Sequence, residues 1–235
     1  MIRVTVWNEY KHERESEEIA KIYPNGIHGC IKDFLLEEPD FVIRTATFEE
    51  FEHGLTEEAL SATDVLVFWS HALQEEFSAD VAERVRNHVN SGMGLVALHS
   101  AHYSKIMKLL MGTSMTLKWK HDESEYLWCI HPAHPIAYGV PERIILPQEE
   151  MYGEPFDIPK PDDVVFEGWF SNGYLFRSGC TFTRGRGKIF YFQPGHEEYP
   201  TYYNQDIQRI IKNAVRFCAH SDSKRFISKN MEVKD

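Results

Sequence analysis

Several strand-like segments of the chain end close to histidines. Histidine is the side chain best suited to proton transfer and metal binding near neutral pH. In open parallel sheets, ligands bind at the carboxyl ends of the strands. We therefore expect these histidines to meet in one cleft. They are His12, His71, His99, His102 and His196.

Residues 94–104 read GLVALHSAHYS, an apolar run that stops at two chemically capable side chains. A tight strand-to-helix turn that exposes a catalytic side chain needs small residues two positions before and after it. Ala97 and Ala101 flank His99 in this way, whereas bulkier residues flank Ser100. The spacing places His99 at the tip, as a general base or metal ligand. The alternative is a structural histidine that hydrogen-bonds to a loop backbone.

The histidines also predict a metal site, because zinc is bound by three or four His, Cys or carboxylate ligands. Zinc is the divalent metal that best suits such donors, and it could polarise a carbonyl or activate water. The competing interpretation is a metal-free pocket in which His196 and a carboxylate transfer protons. No nucleotide cofactor is expected. The candidate metal ligands are His71, His99, His102 and His196.

Carboxylates and an aromatic residue complete the candidate site. Glu150 precedes Tyr152 and a glycine, a combination that suits polyol binding, and Glu197 follows His196 directly. Acid–base work needs carboxyl or imidazole groups of this kind. The predicted catalytic set is His99, His196, Glu150 and Glu197. The predicted ligand-binding set is Asn8, His12, Ser100 and Tyr152.

The elements that must position these side chains alternate in the first half of the chain. Strand patterns at residues 2–7, 41–46, 64–69 and 94–98 alternate with helix patterns at 26–36, 79–89 and 101–111. This alternation predicts a mostly parallel sheet flanked by helices. After about residue 113, short β-rich segments dominate before a final helix at 205–218. We expect one α/β domain over residues 1–220 and a polar C-terminal tail over residues 221–235.

Composition excludes several classes of protein. The net charge is −11, which argues against nucleic acid and anionic membrane surfaces because both require basic residues. The N-terminus lacks a signal-peptide layout, and no apolar run reaches the roughly 18 residues of a membrane span. The 4 cysteines include no C-x-x-C pair, which predicts free thiols in a reducing, cytoplasmic setting. The sequence does not decide between a monomer and a homo-oligomer.

Taken in order, the segments DVLVFWSH, GLVALHSAH, HPIAYGVP, EEMYG and GKIFYFQPGHE resemble the ThuA-like family, which is named for trehalose utilisation. The resemblance covers nearly the whole chain. It implies a flavodoxin-like, class I glutamine amidotransferase-like fold. His99 stands where catalytic relatives carry a cysteine, which argues against amidotransferase chemistry. A carbohydrate or keto-sugar ligand is implied.

Two hypotheses about function follow. The first is an enzyme that modifies a sugar or keto-sugar in a histidine-rich cleft. The second is a non-catalytic or regulatory sugar-binding protein that kept the scaffold and lost the nucleophile. Fold alone does not choose between them, because function resides in the site.

Overall fold

The computed structural model describes residues 1–219, and the predicted tail at 221–235 lies outside the described residues. The strands are β1 (Ile2–Asn8), β2 (Phe41–Thr47), β3 (Val65–Trp69), β4 (Gly94–Leu98), β5 (Lys118–Cys129), β6 (Arg143–Gly153), β7 (Asp163–Phe170), β8 (Leu175–Arg184) and β9 (Gly187–Phe192). The α-helices are α1 (His12–Glu15), α2 (Glu17–Ile22), α3 (Gly26–Leu35), α4 (Glu57–Ser61), α5 (Ala79–Ser91), α6 (Lys105–Met111) and α7 (Gln205–Ala219).

The nine strands within residues 1–219 form one sheet in the order β2-β1-β3-β4-β9-β8-β7-β5-β6. The four pairs from β2 to β9 are parallel, and the four pairs from β9 to β6 are antiparallel. The prediction of a mostly parallel sheet was therefore wrong: the sheet is mixed. The reason is the loss of crossover helices in the second half, since strands joined without a long crossover pair antiparallel.

The parallel half of the sheet is covered on both faces. Along β3, Val65, Val67 and Trp69 pack into one apolar cluster, and Leu66 and Phe68 pack into the other. Helices α3 and α7 cover the first cluster, and α5 and α6 cover the second. Burying each such side chain contributes about 1.5–3 kcal/mol. Within residues 1–219, none of the helices combines the length and apolar character that a membrane crossing requires.

A short turn follows β4 where the first residues of the helix predicted at 101–111 were expected. Residues His99–Tyr103 form a short 3-10 turn, and the α-helix begins only at Lys105. Ser104 caps this helix, because its side chain accepts a hydrogen bond from the backbone of Met107. The strand before the turn, β4, spans Gly94–Leu98 and confirms its prediction.

The basic turn RGRG joins β8 to β9 as a hairpin. Arg184 Nε donates to the backbone carbonyl of Leu110 at 2.6 Å, and the guanidinium of Arg186 donates to that of Ser91. These arginines tie the turn to the ends of α6 and α5. The turn is therefore a structural element.

Candidate functional site

Most of the predicted site residues lie in or beside a cleft at the carboxyl ends of the parallel strands. Strand β6 is last in the sheet order, yet it returns to this edge. Tyr152 on β6 lies 2.6 Å from Ser100 (hydroxyl to hydroxyl), and Gln193 donates to the backbone carbonyl of Glu150 at 2.8 Å. The cleft has a volume of about 370 Å³, within the range of small-molecule sites. Its lining comprises His71, Gln74, Ser100, His102, Tyr103, Thr116, Leu117, Trp119, His121, Glu150 and Tyr152.

His99 occupies the tip of the turn after β4, in a strained backbone conformation with φ of 53°. A non-glycine residue in the left-handed region costs about 1–3 kcal/mol and is often found at functional sites. Its Nδ1 donates to the carbonyl of Gln193 at 2.9 Å, which directs Nε2 towards Glu150. The neighbouring Ser100 hydroxyl is paired with Tyr152 instead of a base. The tip therefore presents His99, and Ser100 has no activating partner.

Glu150 lies on the floor of the cleft, with only 3% of its surface exposed. Its Oε2 lies 3.0 Å from Nε2 of His99, but no donor reaches that oxygen in hydrogen-bonding geometry. Burial alone would raise the pKa of Glu150. Contact with His99 and the charges of His99 and His71 outweigh burial and lower the pKa to about 2. Glu150 is therefore an ionised, under-coordinated carboxylate beside the cleft.

His71 follows β3 and is oriented by Glu197. Its Nδ1 lies 2.9 Å and 3.0 Å from the two carboxylate oxygens, so Nε2 is the nitrogen left for a ligand. Burial disfavours the charged ring, but the bond to Glu197 and the charges of Glu197, Glu150 and Glu9 raise the pKa of His71 overall. His12 also contacts this pair, because its Nε2 lies 3.4 Å from a carboxylate oxygen of Glu197.

His196 is fixed at the end of β9 by a buried carboxylate. Glu149 accepts hydrogen bonds from the backbone N–H groups of Gly195 and His196 at 3.0 and 3.1 Å. The Nδ1 of His196 accepts from the backbone of Glu198 at 3.2 Å, and its Nε2 has no partner. Burial and the nearby His99 lower the pKa of His196 to about 3. The ring is therefore neutral, with a free nitrogen position facing its neighbours.

His102 lies on the other side of Tyr152. Its Nδ1 donates to the carbonyl of Met115 at 2.7 Å, and its ring packs edge-on against Tyr152. Burial lowers the pKa of His102 to about 3. His102 therefore contributes a neutral ring with Nε2 available as a hydrogen-bond acceptor in the cleft.

The structure brings together two of the four predicted metal ligands. His71 and His196 meet Glu150, and the three candidate ligand atoms lie within 4.8 Å of one another. His99 contacts this group through Glu150, whereas His102 donates to the carbonyl of Met115 and is not part of the group. Two further groups among the described residues meet the same criterion. They are His12, His71 and Glu197, and His121, His196 and Glu198.

Asn8 and His12, predicted as ligand-binding residues, do not line the cleft. The Asn8 side chain is fully buried and donates to Glu13 at 2.7 Å, so it stabilises the loop after β1. The residue after it, Glu9, accepts hydrogen bonds from the backbone N–H groups of residues 71–73. Glu9 thus positions His71. The position of Glu9 directly after a strand was the signal that could have identified it.

Sequence reasoning also missed part of the lining. Trp119 and His121 lie on β5, and Gln74 lies in the loop after β3. Nothing in the local sequence pattern marks the two β5 residues, because the pairing of Trp119 with Tyr152 on β6 brings this part of β5 to the cleft. Glu149 lies in the segment EEMYG, but its role as an anchor for Gly195 depends on a tertiary contact.

No cysteine lines this cleft. Cys30, Cys180 and Cys218 are buried, and Cys129 is half-buried. Burial raises the pKa of the Cys180 and Cys218 thiols to about 12, and that of Cys30 to about 11. Such thiols are poor nucleophiles because the thiolate is the reactive form.

This architecture is shared with solved proteins of low sequence identity. A glutamine amidotransferase from Thermotoga maritima matches with a TM-score of 0.52 at 10% identity, covering 94% of this chain and 99% of the other. A ThuA-like protein from Parabacteroides merdae matches with a TM-score of 0.71 at 13% identity, covering 97% and 93%. One from Bacteroides uniformis matches with a TM-score of 0.64 at 16% identity, covering 92% and 91%. The fold is thus ThuA-like and amidotransferase-like.

The family itself is shown by sequence. Residues 3–218 match the ThuA family model, described as trehalose utilisation, and the chain belongs to this family. A sequence comparison with curated proteins finds no match. The membership supports a role related to carbohydrates.

Proposed function

We propose that this protein acts on a sugar or keto-sugar bound in the cleft, with a divalent metal, zinc by preference, held by His71, Glu150 and His196. The observation that carries the proposal is the convergence of these three side chains within 4.8 Å. Oε2 of Glu150 and Nε2 of His196 are buried without a hydrogen-bond partner. Buried polar atoms are normally paired, so these two atoms fit a ligand.

The donor set suits zinc, which binds imidazole nitrogen and carboxylate oxygen. Glu197 behind His71 supplies the outer carboxylate that metal-bound histidines usually have. At His196, metal binding through Nε2 requires the proton on Nδ1, so the bond from Glu198 would be given up. A metal ion there would polarise a carbonyl or activate water.

The chain's own residues would then hold and move protons. The Gln193 carbonyl keeps a proton on Nδ1 of His99, and Nε2 faces Glu150. This pair can take up or release a proton beside a bound hydroxyl or carbonyl group. Tyr152, whose hydroxyl lies 3.4 Å from Nε2 of His99, stays protonated because burial raises its pKa well above 10.

The test is the metal content of the purified protein and its turnover of disaccharides and their keto derivatives. We expect one equivalent of zinc in the wild type and its loss in the His71→Ala and His196→Ala variants. His131→Ala, at a half-buried histidine outside the cleft, is the matched control. Less than about 0.1 equivalent after incubation with zinc would overturn the metal site.

A non-catalytic sugar-binding protein is the second candidate. It is favoured by the pairing of the Ser100 hydroxyl with Tyr152 and by the positions of the cysteines outside the cleft, which leave neither residue type placed as a nucleophile. Sugar binding without turnover by any member of the panel, unchanged in His99→Ala, would support this alternative over the first.

A further inference from the structure

Gln193, directly after β9, makes four hydrogen bonds that join separate parts of the cleft floor. Its backbone N–H donates to the carbonyl of Ser178 at 2.8 Å, and its own carbonyl accepts from Nδ1 of His99 at 2.9 Å. In its side chain, Nε2 donates to the backbone carbonyl of Glu150 at 2.8 Å, and Oε1 lies 3.2 Å from the Ser178 hydroxyl. Gln193 therefore contacts both members of the pair formed by His99 and Glu150.

The two neighbours of the Gln193 amide decide its orientation. A glutamine amide can turn by half a rotation with little change of shape, which exchanges its oxygen and its nitrogen. The carbonyl of Glu150 can only accept a hydrogen bond, so Nε2 faces it and Oε1 faces Ser178. The hydrogen bond at Oε1 then requires the single proton of the Ser178 hydroxyl.

Glu125 on β5 contacts the same hydroxyl. Its Oε1 lies 3.1 Å from the Ser178 hydroxyl, whose proton points to Gln193. This contact is then a hydrogen bond only if Glu125 carries a proton and donates it to Ser178. A Cβ at Gly168 on β7 would collide with both groups, so the glycine leaves the space in which they meet.

The surroundings of Glu125 disfavour a charge. The residue is fully buried, its Oε2 has no hydrogen-bond partner, and no cation pairs with it within residues 1–219. Glu149 accepts from three backbone N–H groups and the Thr201 hydroxyl, so it is the ionised member of these two buried acids. Burial and the charge of Glu149 raise the pKa of Glu125 well above its usual value. Tyr191, which also interacts with Glu125, is neutral because burial raises its pKa well above 10.

We propose that Gln193 is a positioning residue that holds His99 and Glu150 against each other. Glu125, as a neutral carboxylic acid, sets the orientation of the Gln193 amide through the hydroxyl of Ser178. If Glu125 were ionised, Ser178 would donate to the carboxylate instead, and Gln193 would lose the hydrogen bond at Oε1. This inference deepens the proposed function and rests on it, because His99 and Glu150 are its proton-transfer pair.

The proton on Glu125 is tested by urea unfolding of the full chain between about pH 5 and 7. An unfolded glutamate loses its proton above about pH 4.3, whereas Glu125 keeps its proton in the fold, so the fold loses stability as pH rises. Relative to Glu125→Gln, whose amide can still donate to Ser178, the unfolding constant of the wild type should rise about tenfold per pH unit.

Glu123→Gln is the control on the same strand, because contacts with Lys120 and Ser171 lower the pKa of Glu123 and keep it ionised. Its pH dependence should follow that of the wild type. Parallel pH dependence in the wild type and Glu125→Gln would show that Glu125 is ionised, and would overturn the inference.

The effect on His99 is tested by NMR of protein with labelled histidines. The Nδ1–H signal that disappears in His99→Gln should exchange with water about fivefold to tenfold faster in Ser178→Ala, the change that one lost hydrogen bond produces. Thr5→Val is the matched control, because it removes a buried hydroxyl bonded to Thr63 at 2.7 Å, outside the cleft. Glu125→Gln should keep the wild-type exchange rate.

Equal exchange rates in Ser178→Ala and Thr5→Val would overturn the positioning role. Neither experiment depends on sugar turnover or on zinc content. A failure here would therefore leave the metal site and the sugar ligand to their own tests, and a failure of those tests would leave the contacts of Gln193 to be decided by these.

Discussion

The carboxylate of Glu197 lies 2.9 Å from Nδ1 of His71, and both groups are largely buried at the edge of the cleft. The pair explains why the pKa values of the two residues shift in opposite directions. The pKa of Glu197 is held far below its usual value because the bond and charge of His71 outweigh burial, and the pKa of His71 is raised. Glu197 therefore fixes the orientation of His71, a candidate metal ligand, and holds the proton on its Nδ1.

Replacing Glu197 with glutamine should weaken zinc binding by about 10–100-fold, the usual effect of losing an outer-shell carboxylate. Competition titration with a zinc chelator measures this. Glu83→Gln, at an exposed position on α5, serves as the control. Unchanged zinc affinity in Glu197→Gln would show that His71 does not bind the metal through Nε2.

Acid should destabilise the protein through His102. In the unfolded chain this histidine takes up a proton below about pH 6.5, whereas in the fold its pKa is about 3. Between these values the unfolded state binds more protons, so the free energy of unfolding decreases as pH falls. Each such group contributes up to about 1.4 kcal/mol per pH unit.

His102→Gln should reduce this pH dependence, because its amide can still donate to the Met115 carbonyl but does not titrate in this range. Urea unfolding at a series of pH values between 4 and 7 measures the slope. The control is His131→Gln, at a half-buried histidine outside the cleft. An equal slope in wild type and His102→Gln would contradict the burial of a neutral ring.

Ser100 and Tyr152 should behave as a structural pair. Tyr152→Phe leaves the buried Ser100 hydroxyl without its partner, and should cost about 1–3 kcal/mol of unfolding free energy. Adding Ser100→Ala to Tyr152→Phe should cost less than the sum of the single changes. Chemical unfolding of the four proteins measures the coupling. If Ser100→Ala alone abolished sugar turnover, Ser100 would be a catalytic residue.

Glu149 should be essential to the loop that carries His196. Its carboxylate accepts hydrogen bonds from the backbone of Gly195 and His196 and from Thr201. Glu149→Gln turns one acceptor into a donor that faces other donors, and should destabilise the fold by about 2 kcal/mol or more. Thermal melting measures this, with the exposed Glu76→Gln as the control. Equal melting temperatures would contradict the anchoring role.

Much of the parallel half of the fold was predictable. Strand β4 and helix α5, with its Ser78 cap and Gly92 stop, depend on neighbouring residues along the chain. The tip position of His99 also followed from small flanking residues, and its φ of 53° agrees with a tight turn. These features are local, so periodicity and spacing were sufficient.

The antiparallel half was less predictable, because its short strands could pair in several orders. The helix expected at residues 101–111 begins later, at Lys105, because the turn at His99 occupies the residues before Ser104. Asn8 was predicted to bind the ligand, and Glu9 was not identified. Both follow β1, but hydrogen bonds to Glu13 and to residues 71–73 decide what each does.

The sequence by itself determined the family, the α/β alternation and the presence of histidines at strand ends, because these depend on residue order alone. Only the tertiary structure decided that Glu150 meets His71 and His196 while His102 turns to Met115. That outcome depends on the return of β6 to the ends of β4 and β9. The physical reason is that strand register and sheet curvature are set by contacts between residues far apart in the chain.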